Sequence, residues 1–352
     1  MATKLNFCTL FNSTYLSRGL VMYDSLLKNC DDFHLYVFAF DDKTNEYLRS
    51  QELKNVTVIS LSEFEDPDLL RVKPTRTAGE YCWTSTSSTI LYCINNFHLD
   101  HCTYIDADLI FYSNPKVLYD EMGKKSVLIT SHRYTPMYDQ SLTSGKYCVQ
   151  FVTFKNDEDG MKVLNWWRNA CIEWCFNRFE EGKFGDQKYL DDWQTRFEGV
   201  HELQHLGGGV APWNVQQYQI SKTGNSYYGI EITTQKKFEF VFFHFHGLKF
   251  YENNIISLTG QGYAINKNLQ EVLFKPYVNS LEKIRNEINK TDVTINANGV
   301  SGPSPYLPLN LKLKIRFYLA GFKYSFKNFT FTYLKHRIAH HYFYYLQDFK
   351  ND

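Results

Sequence analysis

The run Leu5–Phe11 is apolar except at Asn6 and Thr9, which predicts a buried strand at the start of the chain. Residues 14–29 follow with Leu16, Leu20, Tyr23 and Leu27 at helical spacing, and Thr14 stands where an N-cap would be. Further strands are expected at 33–40, 56–61 and 102–105, with helices at 45–53 and 77–96 between them. Pro115 marks the start of another helix. Strands separated by helices predict an α/β fold: a mostly parallel sheet with helices on both faces. Beyond a strand at 127–130 the pattern loosens. Strands are expected at 147–154 and 238–245, a long aromatic helix over 158–180, and a helix over 266–289 interrupted near Pro276.

The expected organisation is a catalytic domain over 1–265, a helical extension over 266–290 and a linker over 291–309. The linker rests on Gly299, Gly302, Pro303, Pro305 and Pro308. A basic, aromatic tail covers 310–352. No acidic residue occurs from Val293 to Gln347, where seven of the 38 basic residues fall, so a neutral total hides an acidic body and a basic tail. Such a tail, with Phe317, Phe322, Tyr324 and Phe326 among its charges, suits an anionic membrane surface. It equally suits packing on the acidic body; no nucleic-acid module accompanies it.

At 17% aromatic and 43% hydrophobic, the chain has ample core and no case for disorder. The first residues lack the apolar stretch of a signal peptide, and no run of eighteen apolar residues follows, so a cytoplasmic protein is expected, peripheral to the membrane if the tail binds it. Eight cysteines without a C-x-x-C pair support neither a zinc knuckle nor a disulfide framework.

Tyr104-Ile105-Asp106-Ala107-Asp108-Leu109-Ile110 carries the first candidate chemistry. In a strand, residues two apart share a face, so Asp106 and Asp108 are expected to point into one volume. Two crowded carboxylates call for a cation; a capped turn with a solvated partner is the alternative. Phe243-His244-Phe245-His246-Gly247-Leu248-Lys249 offers a histidine ligand, His244 or His246, a glycine for close backbone approach and a lysine for a phosphate. Gly185-Asp186-Gln187 places an acid and an amide together, suited to sugar hydroxyls, although Asp186 is also a plausible helix cap. Gly207-Gly208-Gly209 fits no phosphate loop, and His201 with His205 is a weak zinc pair.

Taken in order, these segments resemble the GT-A glycosyltransferases, most nearly the retaining family 8 enzymes and their bacterial relatives. Tyr104–Ile110 resembles the family's D-x-D strand, Asp186-Gln187-Lys188-Tyr189-Leu190 its D-Q-D-x-L-N segment, Pro212-Trp213-Asn214 its W-N, and His244–Lys249 its H-F-x-G-x-x-K-P-W signature. The resemblance implies that Asp106, Asp108 and His244 hold Mn²⁺ or Mg²⁺ on the diphosphate of a nucleotide sugar, with Gly247 and Lys249 beside it. It implies that Leu10, Asn12 and Tyr15 cradle the nucleotide and that Arg18, Lys73 and Arg76 reach its phosphates. Asp186 and Gln187 would act at the reacting sugar. Cys148-Val149-Gln150 stands in the place of the family's Asn-x-Gly strand, which touches the sugar. The implied activity is a metal-dependent hexosyl transfer, with retention, from a UDP-sugar to a glycan or lipid-linked acceptor. A non-catalytic nucleotide-sugar or glycan-binding protein on the same fold is an alternative, as is a nucleotidyltransferase, although Leu10–Thr14 lacks the latter's Gly-rich basic loop.

Overall fold

A computed structural model describes residues 4–259, 262–306, 308 and 342–351. The basic, aromatic segment 310–341, expected to suit an anionic membrane surface or to pack on the acidic body, therefore lies outside the described residues.

The first half alternates β1 (Leu5–Phe11), α1 (Leu16–Asn29), β2 (Phe33–Ala39), α2 (Asp42–Ser50), β3 (Val56–Ser60), α3 (Leu61–Phe64), α4 (Pro67–Val72), α5 (Ala78–Asn96) and β4 (His101–Ile105). There follow β5 (Leu109–Phe111), α6 (Lys116–Glu121), β6 (Val127–Ser131), β7 (Tyr147–Lys155), α7 (Glu158–Glu173), α8 (Trp193–Arg196) and β8 (Val200–Glu202). Seven of these strands form one sheet in the order β3-β2-β1-β4-β7-β6-β8. All its pairings are parallel except those of β7 with β4 and β6. The expected α/β class with a mostly parallel sheet is what the chain adopts.

Alternation along β1 shows why both faces are covered. Leu5, Phe7 and Phe11 pack with Leu16, Leu20 and Leu26 of α1. Cys8 and Leu10 face the other way, toward Ile90 and Cys93 of α5 and Trp167 of α7. Leu27, expected on the buried face of α1, is exposed, and Leu26 takes the buried position.

Several boundaries differ for identifiable reasons. Asn12, not Thr14, caps the turn before α1; its Oδ1 accepts from the Thr14 N–H at 3.1 Å. The second helix begins three residues early because Asp41 caps it, accepting from the Thr44 N–H at 2.8 Å. The helix expected over 158–180 ends at Glu173. Beyond it the chain folds over the start of α5, where Glu80 accepts from the Asn177 N–H.

The apolar run 238–245 is two strands, because the chain changes sheets at Phe240-Val241. The strand β9 (Tyr218–Thr223) pairs with β10 (Ser226–Glu231), which pairs with β11 (Lys237–Glu239), whereas β12 (Phe242–His244) pairs antiparallel with β5. Next come β13 (Lys249–Tyr251), β14 (Ile255–Ser257), α9 (Lys267–Leu269), a π-turn over Gln270–Phe274 and α10 (Lys275–Thr291), with Pro276 in its first turn. The C-terminal β15 (Phe343–Tyr345) adds to β14, ahead of a final helix at Leu346–Asn351.

The helical extension is not a separate unit. Phe274, Tyr277 and Leu281 share one core with Phe243, Phe245 and Val21 of α1. Nor does the segment 291–309 read wholly as a linker: Ile295, Ala297 and Asn298 are buried. The Ser17 N–H donates to the Ala297 carbonyl at 3.1 Å. Among the described residues, no helix is long and apolar enough to cross a membrane.

Candidate functional site

The strand β4 ends at Ile105, and Asp106-Ala107-Asp108 turns the chain into β5. The expected mechanism for bringing the carboxylates together was strand alternation; the structure does it with this turn. The Asp106 N–H donates to the Gln150 carbonyl at 3.2 Å, and the Leu109 N–H closes the turn on the Asp106 carbonyl. The antiparallel ribbon of β5 and β12 then sets His244 directly opposite Leu109. His244 Nε2 lies 3.1 Å from Asp108 Oδ1 and 3.7 Å from Asp106 Oδ2. One ligating atom from each of the three lies within 4.8 Å of the others. His246 is next to this group but outside it; its ring meets Trp213 edge-on at 5.4 Å.

Electrostatics sharpen the picture. Burial, reinforced by repulsion from Asp108, pushes the Asp106 carboxyl up to about 6. Burial also works against an Asp108 anion, but His244, assisted by His246 and Arg18, holds that carboxyl down at about 2. Burial disfavours an imidazolium at His244, yet Asp108 and Asp106 raise it well above its usual value. A positive charge is thus wanted between the two carboxylates, and in the cation-free protein the His244 proton supplies it. Two carboxylate oxygens and one imidazole nitrogen, converging and shielded, are a donor set suited to Mn²⁺ or Mg²⁺.

The triad opens onto a cavity of about 680 Å³ beyond the carboxyl ends of β1 and β4. Leu10, Asn12 and Tyr15 line one side, and Tyr104 and Asp106 its floor. Asp186 and Gln187 line it together with Trp83 and Thr86 of α5, as do His132, Tyr134, Trp213 and Tyr263. Asp186 does not cap a helix; the residue at that position is Gln187. Burial, with the charge of Asp106 behind it, raises the Asp186 carboxyl to about 7, against the opposing pull of the Thr86 hydroxyl and nearby backbone N–H groups. Gln187 Nε2 donates to the Ser144 carbonyl at 2.7 Å, which turns its Oε1 away from that bond.

Other sequence-derived candidates fall elsewhere. Arg18 is buried and spends its fork on backbone, donating to the carbonyls of Asn298 at 2.9 Å, Leu248 at 3.1 Å and Thr14 at 3.3 Å. It reaches the cavity only through Tyr15, on whose ring it stacks at 4.4 Å. Arg76 donates to Thr75 and the Ile172 carbonyl and covers Phe176, and Lys73 pairs with Glu65, so neither lines the cavity. Gly247 adopts φ 82° in the turn after β12, a conformation that favours glycine. Lys249 is exposed at the start of β13, outside the cavity lining, though its charge acts on His246. His201 bonds to Glu121 and His205 to the Gly207 N–H, so they form no zinc pair.

The sequence reading missed three supports. Gln150 Oε1 lies 2.8 Å from His244 Nδ1. Trp213 Nε1 and Asn214 Nδ2 both donate to the His132 carbonyl, which makes Trp213-Asn214 a brace for the cavity wall. The glycine run permits close approach: a Cβ on Gly207 would lie 1.8 Å from the Glu239 carbonyl oxygen. That approach lays Val210 beside β12, where its carbonyl accepts from the His244 N–H at 2.9 Å. A run of three glycines in a chain of aromatics was the available signal.

The uncharacterized protein YfnD of Bacillus subtilis is 30% identical over 293 residues, spanning 81% of this chain and 91% of YfnD. YfnF of the same organism is 30% identical over 259 residues, spanning 71% of this chain and 84% of YfnF. The chain belongs to the YfnD and YfnF family. No general family description matches it. Among solved structures, this YfnD-family chain is similar to mouse xyloside xylosyltransferase 1, at 13% identity and TM-score 0.39, over 57% of this chain and 85% of that one. It is similar to the glycosyltransferase GlyE of Streptococcus pneumoniae at 14% identity and TM-score 0.37, over 59% and 47%. It is also similar to the galactosyltransferase LgtC at 12% identity and TM-score 0.38, over 56% and 73%.

Proposed function

We propose that this protein is a metal-dependent glycosyltransferase that moves a hexose from a nucleotide sugar, UDP-linked, to a glycan or lipid-linked acceptor with retention of anomeric configuration. The observation that carries the reading is the convergence of Asp106, Asp108 and His244 in a cavity that Asp186 and Gln187 also line. The fold agrees, since ligands of open α/β sheets bind beyond the carboxyl ends of the strands.

Asp106, Asp108 and His244 are the residues that would hold Mn²⁺ or Mg²⁺, and such an ion supplies neutralising charge for a departing diphosphate. Leu10, Asn12 and Tyr15 form the nucleotide side, where the Tyr15 ring offers a stacking face backed by Arg18. Asp186, held near half-protonation around neutral pH, can donate to or accept from a sugar hydroxyl. Gln187, anchored through Nε2, presents Oε1 to the sugar. These groups orient the donor so that an acceptor hydroxyl can meet the anomeric carbon. Lys249 is proposed for the diphosphate on the family resemblance alone, since it is exposed at the start of β13 and does not line the cavity.

Transfer or donor hydrolysis, screened over nucleotide sugars with Mn²⁺, tests the reading. Turnover that needs metal and is lost in Asp108→Ala supports it; equal turnover in that variant, or none with any donor, overturns it. An α-linked product from an α-donor supports retention, and a β-linked one refutes it. The basic segment 310–341 is proposed to dock on an anionic leaflet, which liposome co-sedimentation decides by comparing the parent with a variant in which Lys312, Lys314, Arg316, Lys323, Lys327, Lys335 and Arg337 are replaced by Gln.

A further inference from the structure

Gln150 sits in β7, between β4 and β6, and is fully buried. It touches both halves of the triad. Its backbone carbonyl accepts from the Asp106 N–H at 3.2 Å, and its side-chain Oε1 lies 2.8 Å from His244 Nδ1. Its Nε2 has no hydrogen-bond partner among the described residues. A buried carboxamide with an idle N–H₂ keeps its oxygen where it is at a cost in stability.

From this arrangement, and resting on the metal-dependent reading above, we infer that Gln150 is a positioning residue that makes His244 a metal ligand. An imidazole ligates through the nitrogen that carries no proton. An oxygen facing Nδ1 requires the proton there, which leaves the lone pair on Nε2, the nitrogen that faces Asp106 and Asp108. With the carboxamide reversed, Nδ1 would have to accept, and the proton would move to Nε2, against the place a cation would occupy. Gln150 thus selects the tautomer and fixes the ring's rotation, while its own carbonyl holds the Asp106 end of the turn. Within the segment Cys148-Val149-Gln150, which stands in the place of the family's Asn-x-Gly strand, Gln150 turns its side chain to His244. Cys148, two residues earlier on the same face of β7, lines the cavity, and its thiol also hydrogen-bonds to the His244 side chain.

The test is Mn²⁺ affinity of the full chain without donor, read by electron paramagnetic resonance titration. Gln150→Met keeps the volume and loses the acceptor, and an affinity about 10–100-fold weaker is expected. Gln150→Glu restores an acceptor at the same atom and should bind within a few-fold of the parent. Wild-type affinity in a folded Gln150→Met overturns the inference while leaving the metal reading intact. No Mn²⁺ binding by the parent removes the metal reading, and the inference with it. Should Gln150→Met fail to fold, nitrogen-15 spectra of the Mg²⁺-loaded parent decide: a proton on His244 Nδ1 supports the assignment, and one on Nε2 overturns it.

Discussion

Arg18 donates through Nη1 to the carbonyl oxygen of Asn298, 280 residues further along the chain, at 2.9 Å. Asn298 in turn donates through Nδ2 to Glu282, which Lys350 near the C-terminus also reaches at 3.2 Å. The nucleotide side of the cavity is therefore tied to the C-terminal residues through buried polar contacts. Removing the guanidinium leaves three carbonyls without their donor. Arg18→Met is expected to cost about 2–4 kcal/mol of folding stability, measured as a lower urea midpoint at unchanged slope. A loss under about 0.5 kcal/mol would mean that water replaces the fork at no cost.

The Asp186 carboxyl sits at about 7 against an ordinary 3.8, chiefly because it is buried. Between those values the folded protein holds a proton that the unfolded chain has released, so stability falls as pH rises through that window. Its contribution is fully favourable below about pH 4 and lost above about 7. Asp186→Asn removes the term. The variant should be more stable than the parent at pH 8, by on the order of 1–4 kcal/mol, with the gap closing toward pH 4. Thermal unfolding at the two pH values measures it, and a gap that widens on acidification refutes the assignment.

The parts legible in the sequence are those that local pattern determines. Largely apolar runs such as Leu5–Phe11 pointed to the strands of the sheet, and helical spacing pointed to α1, α5 and α10. Asp106 and Asp108 drew notice as paired carboxylates between apolar runs, whereas His244 and His246 stayed undivided by spacing and only the family resemblance picked out His244. What holds them together was not readable, because it depends on register between distant strands. Nothing near Gln150 in sequence indicates that its side chain meets a residue 94 positions away. Arg18 misled for a related reason: an arginine after the first strand suggests an anion, but its partners are carbonyls delivered by segments 230 and 280 residues downstream. The glycine run was visible and discounted, because its role is steric rather than chemical.

That role gives a sharp prediction. Any side chain at Gly207 would collide with the Glu239 carbonyl, 1.8 Å from the Cβ position, and backbone cannot rotate aside as a side chain can. The Gly207 carbonyl also accepts from the Val241 and Phe242 N–H groups, at the start of β12. Gly207→Ala should destabilise by about 2–3 kcal/mol or more and weaken Mn²⁺ binding together with stability. Gly224, at a turn where an added Cβ meets nothing within 4 Å, is the control, although its φ of 60° exacts a smaller cost of its own. Equal Tm losses in the two variants would contradict the steric account.

His244 and His246 could not be distinguished by spacing, and their surroundings now separate them. His244 Nε2 faces both carboxylates, and its Nδ1 is held by Gln150. Desolvation within the cavity and the charge of His244 push His246 down to about 4 although its side chain is open to the cavity, and its ring meets Trp213 at 5.4 Å, as that of His244 also does. Neither property places it on a cation. A ligand that binds only the folded protein raises stability by about 2.7 kcal/mol at a hundred times its dissociation constant. His244→Ala should therefore abolish the rise in Tm that Mn²⁺ produces in the parent. His246→Ala should keep most of that rise while lowering the metal-free Tm, because it opens a gap against Trp213. If His246→Ala were the variant that lost the metal response, the ligand would come from the turn after β12 rather than from the ribbon, and the triad would need to be redrawn with His246 in place of His244.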